Sequence, residues 1–430
     1  MVLRIEIADM SVCGSKLVFK LDYSKQLSKY FLEDTFFVQY DSEVNINNVD
    51  KSILVIPFIS LVAPVAWAVG ADVKVDRIDE TYLHSLAKVR NVFKDFYPQF
   101  SCSNNIEAKN IVRNHFGGKR TGLLFSGGLD SITSYVRHKE KRPDLILVWG
   151  ADFRLYEEES LNKVTQGASR LTNQDEIMLL QVKTNMRILN ERLLTSEFKV
   201  DWYSKVSHGL MLLGMCPPIS AVRAIATIII ASSYTKEFKA PWGSHPLIDN
   251  NISWADVRVV HDAYDLSRQQ KLKYLSKRSP EYLSYLRVCP FSAVRINCLN
   301  CEKCFRTIVG LTLEGIDPRK CNFHVDENIF ARIKDSFLKG RIALGEDESY
   351  MWQDIQQNIP QEINNDIHGS SEFLIWFKNF DLSQYRENKL RAFLWIAHNR
   401  FRKGKGKIPF IKWVIKCYFF LALARMRRLV

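Results

Sequence analysis

The first stretch of this 430-residue chain whose residues suggest chemistry is an apolar run that leads into two glycines flanked by serines. It reads Ser126-Gly127-Gly128-Leu129-Asp130-Ser131. Two glycines allow a tight turn that brings backbone N–H groups close to an anion, and the serine hydroxyls and the start of a following helix add donors and a positive dipole. We therefore predict that this loop binds ATP, with a bridging Mg²⁺ that makes the carboxylate of Asp130 compatible with phosphate. A tight strand-to-helix turn capped by serine, without a ligand, is the alternative.

Four cysteines with the spacing C-x8-C-x2-C-x2-C form the second constellation. They are Cys289, Cys298, Cys301 and Cys304. Four thiolates close a tetrahedral shell around Zn²⁺, so the spacing predicts a structural zinc site rather than a catalytic one. One alternative stays open, because Cys321 and His324 follow the inner pair with spacing that is also typical of zinc modules and could supply the outer ligands.

Two histidines lie in the segment with the densest reactive side chains, between residues 241 and 271. Imidazole accepts a proton from an attacking amine near neutral pH, so His245 and His261 are candidate catalytic bases beside Asp130. A hydrogen-bonded structural role is the alternative for each histidine. Asp262 follows His261 directly and points to the opposite face of an extended segment, so these two are not predicted to pair.

The pattern of apolar residues predicts the elements that position these groups. Apolar runs near 123–125, 145–149 and 177–182 predict strands, and amphipathic stretches near 131–138, 157–170 and 222–233 predict helices. Such alternation is typical of an α/β fold with a doubly wound parallel sheet. We assign residues 1–112 to an N-terminal α/β domain of unknown role, 113–325 to the nucleotide domain with its cysteine site, 326–387 to a helical extension and 388–430 to a basic amphipathic tail.

Composition and charge narrow the class of protein. The formal charge is +13, but residues 388–430 hold 12 Lys and Arg and no acid, which leaves +1 for residues 1–387. The tail therefore predicts peripheral contact with an anionic membrane or with nucleic acid, and a solvated helical subdomain with a frayed basic end is the alternative. The segment 53–71 has no charge but contains two prolines, and we interpret it as buried core, a strand followed by a helix, rather than as a membrane span. Clustered cysteines favour a reducing cytoplasmic compartment, with the inner face of the membrane as a peripheral alternative.

The loop is similar to the S-G-G-x-D-S signature of the PP-loop, or N-type ATP pyrophosphatase, superfamily. With the downstream cysteines, residues 121–310 resemble its 7-cyano-7-deazaguanine synthase branch. The resemblance implies an adenine nucleotide alpha-hydrolase-like fold and a loop that holds the β,γ-pyrophosphate while a substrate oxygen attacks the α-phosphorus. It also implies that ammonia or an amine then displaces AMP, and that the helix containing Arg268 and Lys271 lies before the first zinc ligand.

The chain is longer than the enzymes of that branch on both sides, so we expect a changed substrate, a small molecule or a sugar. Residues 300–307 are similar to the ending of PP-loop proteins from bacterial surface-polysaccharide and antiviral gene clusters. A tRNA-modifying thiolase or amidase of the same superfamily and a non-catalytic, zinc-containing nucleic-acid-binding protein are the alternatives.

Four basic side chains are candidates for contact with phosphate or substrate. They are Arg268, Lys271, Lys303 and Arg306. The last two are included because the zinc turn is expected near the nucleotide. A solvated surface charge is the alternative interpretation of each.

Overall fold

The computed structural model describes residues 3–103, 105–152, 154–289, 296–363 and 366–385. The chain divides into two compact units, Met1–Leu286 and Arg287–Val430. The basic tail, for which membrane or nucleic-acid contact was predicted, lies outside the described residues.

The first unit contains a single sheet of eleven strands in its described part. Its strands are β1 (Arg4–Cys13), β2 (Lys16–Tyr23), β3 (Thr35–Tyr40), β4 (Asp72–Asp79), β5 (Ile106–Val112), β6 (Arg120–Leu124), β7 (Asp144–Trp149), β8 (Leu179–Thr184), β9 (Ile225–Ala231), β10 (Ser253–Trp254) and β11 (Val257–Asp262). They are ordered β10-β11-β9-β6-β7-β8-β3-β2-β1-β4-β5. The sheet is mostly parallel, which confirms the predicted α/β class.

Five parallel strands form the part of the sheet that carries the glycine-rich loop. From β6 the chain continues through β7 to β8 on one side, and then returns to place β9 and β11 on the other side of β6. The direction of winding therefore reverses between β6 and β9. Open α/β sheets bind ligands in the crevice at such a reversal, beyond the carboxyl ends of the strands.

The N-terminal strands continue the same sheet. Strand β3 pairs antiparallel with β8, with Val38 opposite Thr184 and Tyr40 opposite Val182. The alternating residues of β3 that face inward are buried. They belong to the same apolar core as the buried residues of β8, so the N-terminal strands and the strands after residue 120 share one core. The division between the two compact units falls after Leu286, and the domain boundaries at residues 112 and 325 stay predictions.

The helices of the first unit flank this sheet. They are α1 (Lys51–Leu54), α2 (Ile56–Val69), α3 (Glu80–Phe96), α4 (Leu129–His138), α5 (Glu158–Asp175), α6 (Glu191–Phe198), α7 (His208–Gly214), α8 (Pro217–Arg223), α9 (Pro246–Asp249) and α10 (Arg268–Arg278). The uncharged segment 53–71 is buried core, as predicted, but it is helical in α1 and α2, and its predicted opening strand is wrong.

The predicted helix over 222–233 is also wrong. The chain leaves α8 through Ala224, which has a left-handed backbone, and enters strand β9. Four isoleucines and a threonine in seven residues favour the pleated conformation, because β-branched side chains lose rotamer freedom in a helix. A short, fully apolar run has no periodicity that separates a buried strand from a buried helix.

The described part of the second unit is helical, as predicted for the region after Cys304. Its helices are α11 (Glu302–Leu313), α12 (Ile329–Leu338), α13 (Glu346–Gln357) and α14 (Ser370–Lys378). An aromatic cluster joins three of them, with Phe337 against Trp352 and Phe377 at ring-centroid distances of 4.9 and 5.4 Å. Among the described residues, no helix has the length and apolar character that a membrane crossing requires.

Candidate functional site

The glycine-rich loop follows β6 and lies at the reversal between β6 and β9. The N–H of Phe125 donates to the carbonyl of Ile146, a 2.8 Å bond that extends the β6–β7 pairing into the start of the loop. Gly127 has a left-handed backbone with φ of 71°, and a Cβ added to it would meet no atom within 4 Å. The space beside Gly127 is therefore open. A residue with a side chain at this position would be strained by the left-handed backbone and not by a clash.

The two serines hold the loop together from inside. The Ser131 hydroxyl donates to the carbonyl of Gly128 at 3.1 Å, and the hydroxyls of Ser126 and Ser131 are 3.4 Å apart. The N–H of Gly128 donates to the Ser126 hydroxyl at 3.3 Å. Bonds of this length are at the weak end of the range, so an anion with stronger acceptors could replace them. Helix α4 begins at Leu129 and directs its first N–H groups towards the loop.

Asp130 forms ion pairs with two basic residues of α10. Lys271 Nζ lies 2.8 Å from one carboxylate oxygen of Asp130, and Arg268 lies 3.3 Å from the other. The Lys271 side chain is fully buried and also donates to the main-chain carbonyl of Ser232, at the end of β9. Two basic side chains therefore contact one carboxylate beside the loop. Lys271 and Arg268 neutralise the charge of Asp130, a role that the sequence analysis gave to Mg²⁺.

The local sequence explains why these bases reach the loop. Ser267 and Gln270 form a capping box that fixes the start of α10, and α10 packs against α4. Arg268 and Lys271 are three residues apart and therefore lie on one face of the helix. The contact of these two bases with Asp130 and the main-chain carbonyl of Ser232 was not predicted from the sequence, and their contact with phosphate or substrate stays a prediction.

His261 lies in a separate, fully buried cluster. Its Nδ1 is 2.7 Å from Asp249 Oδ2, and both side chains are at most 1 % exposed. The Ser244 hydroxyl donates to the same carboxylate oxygen at 2.7 Å. Because an ionised carboxylate only accepts, Nδ1 donates this hydrogen bond, and the buried Nε2 has no hydrogen-bond partner among the described residues.

The neighbouring groups separate this cluster from the loop. Asp262 pairs with His138 and Arg137 of α4 at 3.1 and 3.3 Å, and successive strand residues point to opposite faces, so His261 and α4 lie on opposite faces of β11. Burial alone would raise the pKa of Asp262, but the neighbouring His138 and Arg137 outweigh it and lower that pKa. The prediction that His261 and Asp262 do not pair is confirmed.

His245 lies close to the buried pair and caps α9. Its Nδ1 accepts a hydrogen bond from the N–H of Leu247 at 3.2 Å, and its Nε2 is 3.4 Å from the Tyr264 hydroxyl. Burial, with a smaller contribution from nearby His261, lowers the pKa of His245. The imidazole is therefore neutral near pH 7, but its Nδ1 serves the helix cap rather than an incoming group.

The sequence analysis missed a polar cluster that lies after the carboxyl ends of β7 and β8. The guanidinium of Arg187 lies 3.4 Å from the ring centroid of Tyr203 and pairs with Glu191, and the Tyr203 hydroxyl donates to Asp152 at 3.0 Å. Asp152 and Arg187 each follow the carboxyl end of a parallel strand. Their position after apolar runs was the signal that could have found them.

The four cysteines of the second unit converge on one point. Their sulfur atoms all lie within 4.8 Å of one another, with 3.8 Å between Cys298 and Cys304 and 3.9 Å between Cys289 and Cys301. A tetrahedral ion with bonds of about 2.3 Å places its sulfurs about 3.8 Å apart, so the cluster could hold a metal ion such as zinc. Cys301 also caps α11, and the N–H of Cys304 donates to its sulfur at 3.4 Å.

The charges of the cluster also fit a cation. Burial and the neighbouring thiols raise the pKa of Cys304 well above its usual value, and a bound metal ion reverses that by stabilising thiolate. The alternative ligands do not join the cluster: Cys321 and His324 are absent from the metal-competent group of the described residues, and His324 is exposed. Among the described residues, the group that could hold a metal ion therefore includes Cys289 and Cys298 as its outer members, and not Cys321 or His324.

The remaining two basic candidates lie on α11. Arg306 is only 3 % exposed, and its guanidinium pairs with Glu302 at 3.1 Å and contacts the sulfur of Met351. Lys303 is exposed to solvent on the same helix. Arg306 therefore forms contacts within the buried part of the second unit. Its i, i+4 spacing to Glu302 could have indicated this ion pair from the sequence.

Comparison with known proteins gives no assignment, since no family model, no curated protein and no solved structure matches this chain.

Proposed function

We propose that the chain is an ATP-dependent enzyme that adenylates a carboxylate or carbonyl oxygen of its substrate, releases pyrophosphate and then releases AMP when a nitrogen nucleophile attacks. The observation that carries the proposal is the position of the Ser126–Ser131 loop at the reversal between β6 and β9. A nucleotide held there would have its polyphosphate at the start of α4, and a second substrate would bind beyond the carboxyl ends of the neighbouring strands.

The residues around the loop suit that reaction in charge and direction. The N–H groups of the loop and of α4 would bind the β- and γ-phosphoryl oxygens, and the serine hydroxyls would add donors. Lys271 and Arg268 would stabilise the charge that grows on pyrophosphate as the bond to the α-phosphorus breaks, with Asp130 fixing their positions. Mg²⁺, when bound with ATP, would neutralise further phosphate charge.

Amide formation fits Cys216 and the four clustered cysteines better than sulfur transfer. A persulfide carrier needs an accessible thiol of low pKa. Cys216 lies in the apolar core, where burial strongly raises the pKa of its thiol. The four clustered cysteines would hold Zn²⁺ in a closed, structural shell. We therefore favour a nitrogen nucleophile and a small-molecule or sugar substrate.

The test uses the full chain, ATP, Mg²⁺ and ammonium ions with a pool of small metabolites, and measures nucleotide products. We expect AMP and pyrophosphate in equal amounts, and their loss in Ser126→Ala. Ser276→Ala, which removes a hydroxyl from the far end of α10, is the matched control and should retain the activity. Formation of ADP and phosphate in place of AMP would contradict the proposed bond cleavage.

A further inference from the structure

Strand β5 ends the sheet with an open edge. Among the described residues it pairs on one side only, with β4, and Ile111 on this strand is 58 % exposed. An exposed edge of seven residues is a template for another strand, because its outward N–H and C=O groups have no ladder partner. Its side chains decide which partner fits.

The hydrogen bonds to β4 show which groups of β5 point outward. The N–H of Val73 donates to the carbonyl of Asn105 at 2.9 Å, and Val73 lies opposite Ile106 in the register. In a parallel pair, alternate residues direct both main-chain groups to the same neighbour. Glu107 and Lys109 therefore bond towards β4, whereas Ile106, Ala108 and Asn110 direct their main-chain groups away from the sheet.

The charged side chains of β5 have a self-complementary order. Glu107 and Lys109 are two residues apart and lie on one face of the strand. Each already pairs within its own chain, Glu107 with Lys74 at 3.1 Å and Lys109 with Asp76 at 3.4 Å, and each stays at least half exposed. An antiparallel copy of the strand presents the same two charges in reverse order.

We propose that the open edge of β5 pairs antiparallel with β5 of a second copy of this chain, about a two-fold axis through Ala108. Ala108 then lies opposite its own equivalent, and Ile106 lies opposite Asn110 of the second copy. Three pairs that exchange two bonds each give about six main-chain hydrogen bonds. The pairing involves neither the Ser126–Ser131 loop nor the cysteine cluster.

Charge selects this register over its neighbours. With the axis at Ala108, Glu107 lies opposite Lys109 of the second copy in a closely spaced pair, and both copies make this contact. The resulting row of charges alternates in sign, from Lys74 through Glu107 to Lys109 and Asp76 of the second copy. An axis moved by one residue would place Lys109 opposite Lys109, or Glu107 opposite Glu107, which is destabilising.

Cross-linking tests the register directly. In Ala108→Cys the two new thiols belong to residues whose Cα atoms are about 5.5 Å apart, within the range of a disulfide. Asn110→Cys is the matched control, because it points outward from the same edge but lies about 13 Å along the strand from its equivalent. The unsubstituted chain under the same mild oxidation gives the background from native cysteines. We expect a covalent dimer in Ala108→Cys and background amounts in Asn110→Cys.

Sedimentation of the full chain tests the association itself. The edge is short, so we expect a reversible dimer that forms between about 1 and 100 µM. Ala108→Pro should weaken it at least about tenfold while keeping the fold, because the lost N–H points away from β4. Circular dichroism checks that the fold is kept. A chain that stays monomeric at about 100 µM, a dimer that Ala108→Pro leaves unchanged, or equal cross-linking at both positions would each overturn the proposal.

Discussion

Replacing Lys271 by Met is the most direct test of the ion pairs beside the loop. Lys271 Nζ is fully buried at 2.8 Å from Asp130, and Met keeps the length of the side chain while removing its charge. Removing one partner of a buried pair costs about 3–5 kcal/mol. Asp130 keeps Arg268 at 3.3 Å and is 21 % exposed, so we expect a lower cost, about 2–3 kcal/mol, or about a hundredfold in the unfolding equilibrium.

A double-mutant cycle separates the ion pair from the loss of packing. Asp130→Asn alone leaves Lys271 buried beside the like charge of Arg268, and we expect it to destabilise by a similar amount. The double variant removes both charges of the Lys271–Asp130 pair, so its loss of stability should be smaller than the sum of the two single losses by about 1–2 kcal/mol. Lys273→Met, at an exposed site on the same helix, is the control and should change stability by about 0.5 kcal/mol at most.

The assay is urea unfolding followed by circular dichroism, with hydrogen exchange of α4 and α10 peptides to assign the transition to the first unit. Single effects that simply add in the double variant would refute the direct pairing of Lys271 with Asp130. A Lys271→Met variant as stable as the parent chain would do the same.

Four further predictions test other parts of the structure. We expect elemental analysis to find about one equivalent of bound zinc in the parent chain and in Cys321→Ser but none in Cys301→Ser; zinc retained in Cys301→Ser would exclude the four-cysteine site. Gly127→Ala should cost about 1 kcal/mol through its left-handed backbone and abolish ATP binding measured by calorimetry, and unchanged affinity would contradict the role of the loop. The pKa of Asp262 is lowered in the fold, so its contribution to stability is complete above the ordinary value of 3.8 and disappears as the pH falls through the lowered value. Asp262→Asn should therefore flatten the acid limb of a stability–pH curve, and an unaltered limb would count against the pairing. Asp249→Asn removes a hydrogen-bonded buried carboxylate and should destabilise by about 1–3 kcal/mol without changing ATP affinity; weaker ATP binding would show that the two clusters are coupled.

Local signals in the sequence were sufficient for several elements of the site. The change from an apolar strand to two glycines and an amphipathic helix depends on neighbouring residues only, and β6, the loop and α4 follow as predicted. The cysteine spacing likewise identified the four converging sulfurs, although the choice of outer ligands needed the structure.

The misses arise from interactions between distant parts of the chain. Strand β9 has the composition of any buried apolar segment, and its place beside β6 decides its conformation. Lys271 reaches Asp130 because α10 packs on α4, a contact that no local pattern encodes. Their position after the sheet core predicts that the histidines lie near the loop. The alternation of side chains along β11 instead directs His261 to the face of the sheet opposite α4.

The pairing of β3 with β8 also sets the order in which the chain can fold during synthesis. Residues 35–40 leave the ribosome well before residues 179–184, and at about 5–20 residues per second this delay is about 10 s. During that interval β3 lacks its partner β8, and its unpaired edge can pair with strands of other nascent chains. We expect a fragment that stops before residue 179 to depend on chaperones, and chains that reach residue 184 to be released from them.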